Sequence, residues 1–322
     1  MKYFTFGKQL LSKYCLGTWS LGGDKNKNIS YGNIDNINAE KLLNYAFQKG
    51  INFFDTANVY GLAEKRIGQT FKRKRNQVFI ANKVGCTSYD KKLDFSKTNI
   101  KKQIYQSLKN LNSEYIDLVQ LYSPNPKDKN LKECINFLHK QKEMGIVRYI
   151  GLSLRNPSDY IELRKLYKFN SVQCNFNVLD QRLLNTKTFQ LLKKDKVKIF
   201  ARTILNFGIF TNKFINKKKF NFKKNDHRYK WDTRQINIWR NHIKKLKYFA
   251  SRPIENTCYR YCNSFNISSL IIGATLKKHI DVAIDPKNYI KLSRKEIGQI
   301  NKIYNIYNKN LILKPKFKMK SF

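Results

Sequence analysis

Eight short apolar runs with strand character recur along this chain, and amphipathic helical stretches separate them. The runs are residues 14–17, 52–55, 78–84, 116–122, 149–153, 171–175, 198–202 and 269–272. Strands that alternate strictly with helices pair in parallel through right-handed crossovers. Eight such units fit a closed barrel better than an open sheet. We therefore predict an α/β fold of the (β/α)8, or TIM-barrel, type, a parallel eight-stranded barrel with outer helices.

Two segments depart from this alternation. Residues 206–232 form a Lys-rich stretch that is too long for an ordinary connection, so we expect a lid-like loop or a disordered insertion there. After the eighth unit, residues 292–307 predict an extra C-terminal helix, and the basic tail 314–322 should be solvated. No linker-like composition interrupts residues 1–322, which predicts a single domain.

The charge of the chain is extreme, since 64 Lys and Arg against 22 Asp and Glu give a net charge of +42. Such a balance favours nucleic acid, anionic membranes or phosphorylated ligands as partners. The excess is spread along the whole chain, however, and no nucleic-acid-binding motif accompanies it. We expect a generally basic surface without a specific nucleic-acid site, and nucleic-acid binding stays as an alternative.

The six cysteines lack the paired spacing of a metal site, so we expect reduced thiols and no metal. Cys258 and Cys262 would lie one helical turn apart, but no second pair follows at zinc-site spacing. Lys2, Lys8 and Lys13 interrupt the N-terminal apolar residues, and no run reaches membrane-spanning length. We expect a cytoplasmic protein, monomeric or weakly oligomeric, without a membrane partner.

Polar side chains stand at or just after the ends of three consecutive strands. Asp55 and Tyr60 follow the second run, Lys83 lies at the end of the third, and Tyr122 ends the fourth. In a barrel of this type the chemistry takes place at the carboxyl ends of the strands. We therefore expect these four side chains to face one bowl.

The types of these residues indicate proton transfer. A phenol has a pKa of about 10 and donates a proton poorly at neutral pH unless its anion is stabilised. An ammonium group stabilises the phenolate, and a carboxylate holds that ammonium in place and keeps it charged. Asp55, Lys83 and Tyr60 would therefore let Tyr60 protonate an oxygen that is gaining negative charge. Carbonyl reduction by hydride transfer needs such a donor.

Several motifs occur in a fixed order from residue 16 to residue 281. They are LGTWSLGG at 16–23, FFDTANVYGLAEKRIG at 53–68, ANKVG at 81–85, SLKNLNSEYIDLVQLYSP at 107–124, MGIVRYIGLS at 144–153, VQCNFNVLDQR at 172–182 and LIIGATLKKHID at 270–281. In this order they resemble the aldo-keto reductase family. The resemblance implies an NADP(H)-dependent reductase of an aldehyde, ketone or sugar carbonyl.

By that resemblance Asp55, Tyr60 and Lys83 match three of the four family catalytic residues, with Tyr60 as the acid. The fourth is normally a histidine that orients the substrate carbonyl, and this chain has Tyr122 there. Loss of one aligned hydrogen-bond donor typically costs on the order of 100-fold in turnover. We expect a weakened or more selective reductase, in which Tyr122 could also compete as the acid.

The resemblance also assigns a cofactor site. Ser153 and Gln173 match residues that hold the nicotinamide carboxamide, although Leu154 replaces the usual Asn. The remaining cofactor-binding candidates are Gly17, Thr18, Trp19, Arg202, Leu205, Gly208, Gly273, Lys277 and His279. The basic segment at 277–279 favours NADP(H) over NAD(H) because it lies where the family binds the ribose phosphate. Val282 and Ala283 replace the Glu and Asn that commonly hold the adenine.

Other residues receive less specific predictions. His139 and His242 should be surface residues, whereas His227 lies in the long loop, where the family often shapes its substrate pocket. Trp19, Phe176 and Trp231 are candidate apolar pocket walls. Besides the enzyme, a cofactor-binding regulatory protein with weakened turnover stays as an alternative, because Tyr122 replaces the catalytic histidine.

Overall fold

The computed structural model describes residues 1–23, 30–88, 93–184, 187–217, 219–247 and 252–313, so the basic tail predicted at 314–322 lies outside it. Its strands are β1 (Tyr3–Phe6), β2 (Gln9–Ser12), β3 (Tyr14–Gly17), β4 (Phe53–Asp55), β5 (Phe79–Val84), β6 (Ile116–Tyr122), β7 (Val147–Leu154), β8 (Ser171–Asn175), β9 (Lys198–Arg202) and β10 (Ser269–Gly273). The strands β3 to β10 form a closed parallel barrel. The predicted barrel is thereby confirmed, with strand ends within two residues of the sequence runs.

Helices surround the barrel. They are α1 (Asn36–Gln48), α2 (Ala63–Phe71), α3 (Lys97–Leu111), α4 (Leu131–Glu143), α5 (Tyr160–Leu163), α6 (Thr188–Lys194), α7 (Asn212–Ile215), α8 (Thr233–Lys247), α9 (Ile254–Asn263), α10 (Lys277–Ile284) and α11 (Arg294–Leu313). The start of α1 is capped, because the Asp35 carboxylate accepts the Asn38 backbone N–H at 2.7 Å. The extra C-terminal helix is confirmed as α11. None of the helices in the described part of the chain is long and apolar enough to cross a membrane.

The amino end of the barrel is closed by a hairpin that the sequence analysis did not anticipate. The strands β1 and β2 pair in an antiparallel manner through a turn at Gly7, whose φ of +58° suits glycine. Phe6 enters the barrel and packs edge-on against Phe79 and Tyr149, with ring centroids 5.3 and 4.9 Å apart. This end is therefore sealed by aromatic packing.

Period-two alternation divides the barrel interior into two layers. The lower layer is apolar and includes Phe53, Phe79, Leu118 and Phe200, which form one buried cluster. Inward positions nearer the carboxyl end carry polar side chains, and these are Asp55, Lys83, Gln120, Gln173 and Arg202; on β5 the apolar Ala81 lies between Phe79 and Lys83. The barrel thus presents a polar layer at the end where its chemistry is expected.

The predicted lid-like segment 206–232 folds into short elements where it is described. A 3-10 turn spans Asn206–Gly208, α7 follows, and a second 3-10 turn spans His227–Lys230. The His227 backbone N–H donates to the Ser30 carbonyl at 2.7 Å, so the segment contacts the loop between β3 and α1. The Arg228 guanidinium is held by Asp226 at 2.6 Å and lies 4.7 Å from the centre of the Tyr31 ring.

Of the two histidines that were predicted to lie at the surface, only one does. His139 is half exposed and lies 3.0 Å from Glu143, as predicted. The prediction for His242 is wrong, because its ring is buried and its Nδ1 lies 2.8 Å from the Ile238 carbonyl. The cause is the packing of α8 against α11, where the Tyr307 ring lies 5.2 Å from the imidazole.

Candidate active site

A buried ion pair lies at the carboxyl end of the barrel. Lys83 Nζ donates to both carboxylate oxygens of Asp55, at 2.7 and 2.6 Å, and to the Thr56 carbonyl at 3.0 Å. Both side chains are almost fully buried. Burial lowers the pKa of Lys83, and the negative charge of Asp55 opposes that shift. Asp55 and Lys83 therefore lie in direct contact, as the sequence analysis predicted.

Neighbouring strands extend this pair into a polar network. Gln173 Nε2 donates to Asp55 Oδ1 at 2.7 Å, and Ser153 Oγ donates to Gln173 Oε1 at 3.3 Å. Gln120 Nε2 lies 3.4 Å from the same Asp55 oxygen. Because each of these side chains sits on a different strand, the network fixes the carboxylate from several sides. The role of Gln120 was missed, although its inward position in β6 could have indicated it.

Tyr60 lies above this network, in the loop between β4 and α2. The loop is held by backbone contacts, because Tyr60 N donates to the Ala57 carbonyl at 3.0 Å and Leu62 N donates to the Gly22 carbonyl at 3.0 Å. A Cβ on Gly22 would lie 2.0 Å from the Tyr60 carbonyl oxygen, so only glycine fits there. The turn LGG at 21–23 therefore supports the position of Tyr60.

The Lys83 ammonium lies 5.1 Å from the centre of the Tyr60 ring. Burial raises the pKa of Tyr60 well above its usual value, and the negative charge of Asp55 adds to that rise, whereas Arg202 opposes it. This direction is opposite to the expected acidification by Lys83. The reason is that the charge of Lys83 is largely compensated by Asp55, so desolvation of the phenol dominates.

Tyr122 lies close to Tyr60 and faces the same space. Its inward orientation follows from β6, in which Leu118 and Gln120 occupy the two preceding inward positions. The ring is 7% exposed, and the guanidinium carbon of Arg155 lies 5.7 Å from its centre. The four predicted catalytic side chains are therefore brought together.

A cavity of about 700 Å³ opens above these residues. It is lined by Asp55, Tyr60 and Tyr122, and by eight of the cofactor-binding candidates, namely Gly17, Trp19, Gln173, Arg202, Leu205, Gly208, Gly273 and His279. The remaining candidates do not line it. Thr18 and Ser153 are fully buried behind the wall, where the Thr18 hydroxyl donates to the Asp55 backbone carbonyl at 2.9 Å.

Lys277 points away from the cavity, because its ammonium lies 5.0 Å from the centre of the Tyr45 ring. Its neighbour Lys278 lines the cavity instead. Consecutive helical residues point about 100° apart, which explains why Lys278 lines the cavity and Lys277 does not. Lys213 also lines the cavity and was missed, because it lies in the long loop, whose path the sequence pattern does not fix.

Two of the three predicted pocket walls lie elsewhere. Phe176 is fully buried and packs against Tyr261 and Phe265, with ring centroids 5.7 and 5.4 Å apart, so it belongs to the core. Trp231 is absent from the cavity lining and packs edge-on against Phe207. Trp19 does line the cavity, and its ring lies 4.5 Å from that of His227.

The cavity wall has features that suit a dinucleotide. Gly273 presents open space, since a Cβ there would meet no atom within 4 Å, and the start of α10 follows it. Trp19 Nε1 and Arg202 Nε are buried without a hydrogen-bond partner among the described residues. Bare backbone, unsatisfied donors and Lys278 near a helix start match a ligand with phosphates and an amide.

The parallel barrel carries a buried Lys–carboxylate pair and two phenols around a large cavity. These features are those of an enzyme with a (β/α)8 fold. The sequence profile of the Aldo/keto reductase family matches residues 13–305. The chain belongs to the aldo/keto reductase family and is therefore an oxidoreductase.

Individual relatives agree with this assignment. The uncharacterized oxidoreductase YqkF of Bacillus subtilis (strain 168) is 27% identical over 293 residues, which cover 89% of this chain and 90% of that protein. L-galactose dehydrogenase of Arabidopsis thaliana is 29% identical over 199 residues, which cover 56% and 59% of the two chains.

Two solved structures share the fold. The holo form of aldo-keto reductase AKR11C1 from Bacillus halodurans superposes with a TM-score of 0.75 at 24% identity, covering 94% of this chain and 96% of that chain. The glycerol dehydrogenase AKR11B4 from Gluconobacter oxydans gives a TM-score of 0.77 at 21% identity, covering 95% and 96%.

Proposed function

We propose that this protein reduces an aldehyde, ketone or sugar carbonyl with NADP(H) as cofactor, and that Tyr60 donates the proton. The observation that carries the proposal is the buried Asp55–Lys83 pair beside Tyr60 at the floor of a large cavity. In this family of oxidoreductases the nicotinamide cofactor supplies or accepts the hydride. The residues described below would hold it and complete the reaction.

The nicotinamide end would lie near Ser153, Gln173 and Arg202, which sit on three adjacent strands. The pyrophosphate would follow Leu205 and Gly208, where the backbone takes left-handed conformations at Phe207 and Gly208. NADP(H) is preferred over NAD(H), since Lys278 at the start of α10 supplies positive charge for the extra phosphate; burial lowers the pKa of His279 beside it, so that imidazole would bind as a neutral group. The solved relative described as a holo form supports a bound cofactor.

The carbonyl oxygen of the substrate would accept hydrogen bonds from Tyr60 and Tyr122. As negative charge develops on that oxygen, Tyr60 gives up its proton, and the resulting phenolate is stabilised by Lys83. Burial raises the pKa of Tyr60, so the phenol is protonated at neutral pH but is a weak acid, and it releases its proton only as the substrate oxygen gains negative charge. The polar network around Asp55 keeps the Lys83 charge in position.

One observation favours a second function, a regulatory protein that binds the cofactor but turns over slowly. Lys83 Nζ makes its hydrogen bonds to Asp55 and Thr56, and its contact with Tyr60 is to the ring rather than to the hydroxyl. Tyr122 replaces the family histidine in addition. Slow proton donation would follow from this geometry.

The test uses purified protein and the fluorescence of NADPH. We expect NADPH binding, followed by NADPH oxidation on addition of small aldehydes and keto-sugars. Binding without turnover, not rescued by Tyr122→His, supports the regulatory protein instead. Binding of mixed-sequence DNA oligonucleotides that persists at moderate salt would support the nucleic-acid alternative.

We also infer a cytoplasmic location, a small-molecule substrate and a monomeric or weakly oligomeric state. All six cysteines are free thiols in buried positions, which suits a reducing compartment. Sedimentation velocity over a range of protein concentrations measures the oligomeric state. A stable large oligomer at low concentration would contradict the inference.

A further inference from the structure

The wall of the cavity carries more positive than available negative charge. Asp55 is paired with Lys83, whereas Glu255, the other carboxylate of the wall, accepts only the Asn212 backbone N–H at 2.9 Å among the described residues and keeps its negative charge against four cations, Arg202, Lys213, Arg228 and Lys278. Lys213 lies in α7, after β9, and Lys278 lies at the start of α10, after β10; the proposed cofactor phosphates would neutralise both. This assignment leaves the charges of Arg155 and Arg202, beside the tyrosines, without a phosphate partner, because the nicotinamide end near Arg202 carries no phosphate.

Two guanidinium groups lie at the tyrosine side of the site. Arg202 lines the cavity, and its charge is felt by both Tyr60 and Lys83. Arg155 follows the end of β7 and does not itself line the cavity, but its guanidinium carbon lies 5.7 Å from the centre of the Tyr122 ring, which does. Arg202 Nη2 donates to the Leu154 carbonyl at 3.2 Å, directly before Arg155 in the chain. The two side chains therefore approach the same corner of the barrel mouth.

Neither of these arginines forms an ion pair with a carboxylate of the described residues, and the Nε atom of each is buried without a hydrogen-bond partner. Seven other arginines of the described residues form ion pairs with carboxylates, as Arg164 does with Asp195 at 2.6 Å, whereas Arg240 and Arg260 donate to backbone carbonyls. Partly buried cations are normally paired or ligand-bound, because desolvation of an unpaired charge is costly. The pair beside the tyrosines therefore indicates a ligand of opposite charge.

We propose that the substrate bears an anionic group, a carboxylate or a phosphate, close to its carbonyl, and that Arg155 and Arg202 bind this group. Planar guanidinium groups suit both anions, because they donate two parallel hydrogen bonds. The position of Arg155 next to Tyr122 separates this site from the loops after β9 and β10 that would hold the cofactor phosphates. The inference names a substrate class for the proposed reductase and rests on that function.

The kinetic test compares matched substrates that differ in charge. Butanal and succinic semialdehyde differ by a carboxylate, and glyceraldehyde and its 3-phosphate differ by a phosphate, so the two pairs also distinguish the anions. We expect kcat/KM to be at least about tenfold higher for the anionic member of one pair, since hydrogen bonds to charged groups are worth about 10- to 100-fold. In Arg155→Met this ratio should fall by a similar factor.

Two further variants serve as controls. Arg155→Lys keeps the positive charge but lacks the planar guanidinium that donates two parallel hydrogen bonds, so it should keep part of the preference for the anion. Arg73→Met removes an exposed arginine that follows α2 and should leave the ratio as in the natural protein. An equal ratio in Arg155→Met and the natural protein would overturn the inference while the reductase function stands.

If no aldehyde is turned over, the anion site is tested by succinate binding, which is measured through the change in tryptophan fluorescence. Trp19 lines the cavity and should report the bound anion. We expect Arg155→Met to weaken succinate binding by about tenfold or more. Unchanged binding would overturn the anion site, whereas absent turnover with weakened binding would reject only the reductase function.

Discussion

Two buried carboxylates sit near opposite ends of the barrel strands, and their surroundings differ in an instructive way. Asp117, near the amino end of β6, is bound by Arg75 at 2.7 Å and by Arg148 at 3.1 Å. It also accepts the Ile80 backbone N–H at 3.0 Å. Asp55, at the carboxyl end of β4, is bound by one cation, Lys83.

The difference lies in what surrounds each pair. At the amino end both guanidinium groups lie against the Tyr115 ring, at 4.1 and 3.5 Å from its centre, and the hairpin β1–β2 closes the barrel. At the carboxyl end the ion pair borders a cavity with two phenols. A buried carboxylate that is paired with two cations and borders no cavity contributes to stability. An ion pair that borders an open cavity can take part in catalysis. The following predictions test this contrast.

The largest effect is expected from Lys83→Met. Removal of one partner leaves Asp55 as an unpaired buried charge, which should destabilise the fold by about 3–5 kcal/mol. It also removes the stabilisation of the Tyr60 phenolate, so kcat should fall by about 10²- to 10⁴-fold. Urea denaturation and NADPH oxidation measure the two losses.

Lys13→Met is the matched control at the other end of the barrel. Lys13 is also largely buried, its ammonium donates to the Ile267 carbonyl, and burial lowers its pKa to about 8. It lies just before β3, away from the cavity lining. We expect an unchanged kcat, and a loss comparable with that of Lys83→Met would mean that buried lysines act only through stability.

Asp117→Asn should have the second-largest effect, and that effect should be confined to stability. The charge-assisted bonds from Arg75 and Arg148 would be lost, but both guanidinium groups reach some solvent. We expect a loss of about 2–3 kcal/mol in the free energy of unfolding, with kcat unchanged at temperatures where the variant is folded. A selective loss of kcat would contradict the assignment of the two ends.

Tyr122→Phe should lower kcat by about 10- to 100-fold, because one hydrogen-bond donor to the substrate carbonyl is removed. Stability should change little, since Tyr122 lines the cavity and its hydroxyl has no hydrogen-bond partner among the described residues. Steady-state kinetics with saturating NADPH checks this. Wild-type turnover in the variant would show that Tyr122 only lines the site.

The smallest effect concerns pH and His227, at the open end. Burial lowers its pKa from 6.5 to about 3, among the rings of Trp19, Tyr31 and Trp231. The unfolded chain therefore binds a proton below pH 6.5 that the folded chain does not bind until about pH 3. Stability should fall as the pH drops through this window, by at most about 1.4 kcal/mol per pH unit.

Urea denaturation at pH 7.5, 6 and 5 measures this slope. His227→Phe should flatten it, whereas replacement of the exposed His139 by Phe should not. An identical slope in His227→Phe would show that other groups cause the acid sensitivity.

The sequence predicted the barrel well because buried strands leave strong local patterns. Alternation along β5 places Phe79 and Lys83 on the same inward face, so the position of Lys83 follows from the strand itself. The positions of Asp55 and Tyr122 follow in the same way. Local periodicity therefore sufficed for the side chains that sit on strands.

Side chains on loops were predicted less well, because tertiary packing sets their direction. Phe176 comes one residue after β8 and turns into the core, where Tyr261 and Phe265 accept it. Arg155 comes one residue after β7 and reaches Tyr122, which no local pattern indicates. The hairpin β1–β2 was missed because its strands pair with each other, outside the alternation of strands and helices on which the prediction rested.

The most direct test of the account is single-turnover NADPH oxidation by Tyr60→Phe at saturating NADPH and aldehyde. The variant keeps the ring beside Lys83 and loses only the phenolic hydroxyl. We predict a rate at least about 10²-fold below that of the natural protein with an unchanged Kd for NADPH. A rate within about threefold of the natural protein would contradict the claim that the Tyr60 phenol is the proton donor, given that a catalytic acid contributes far more.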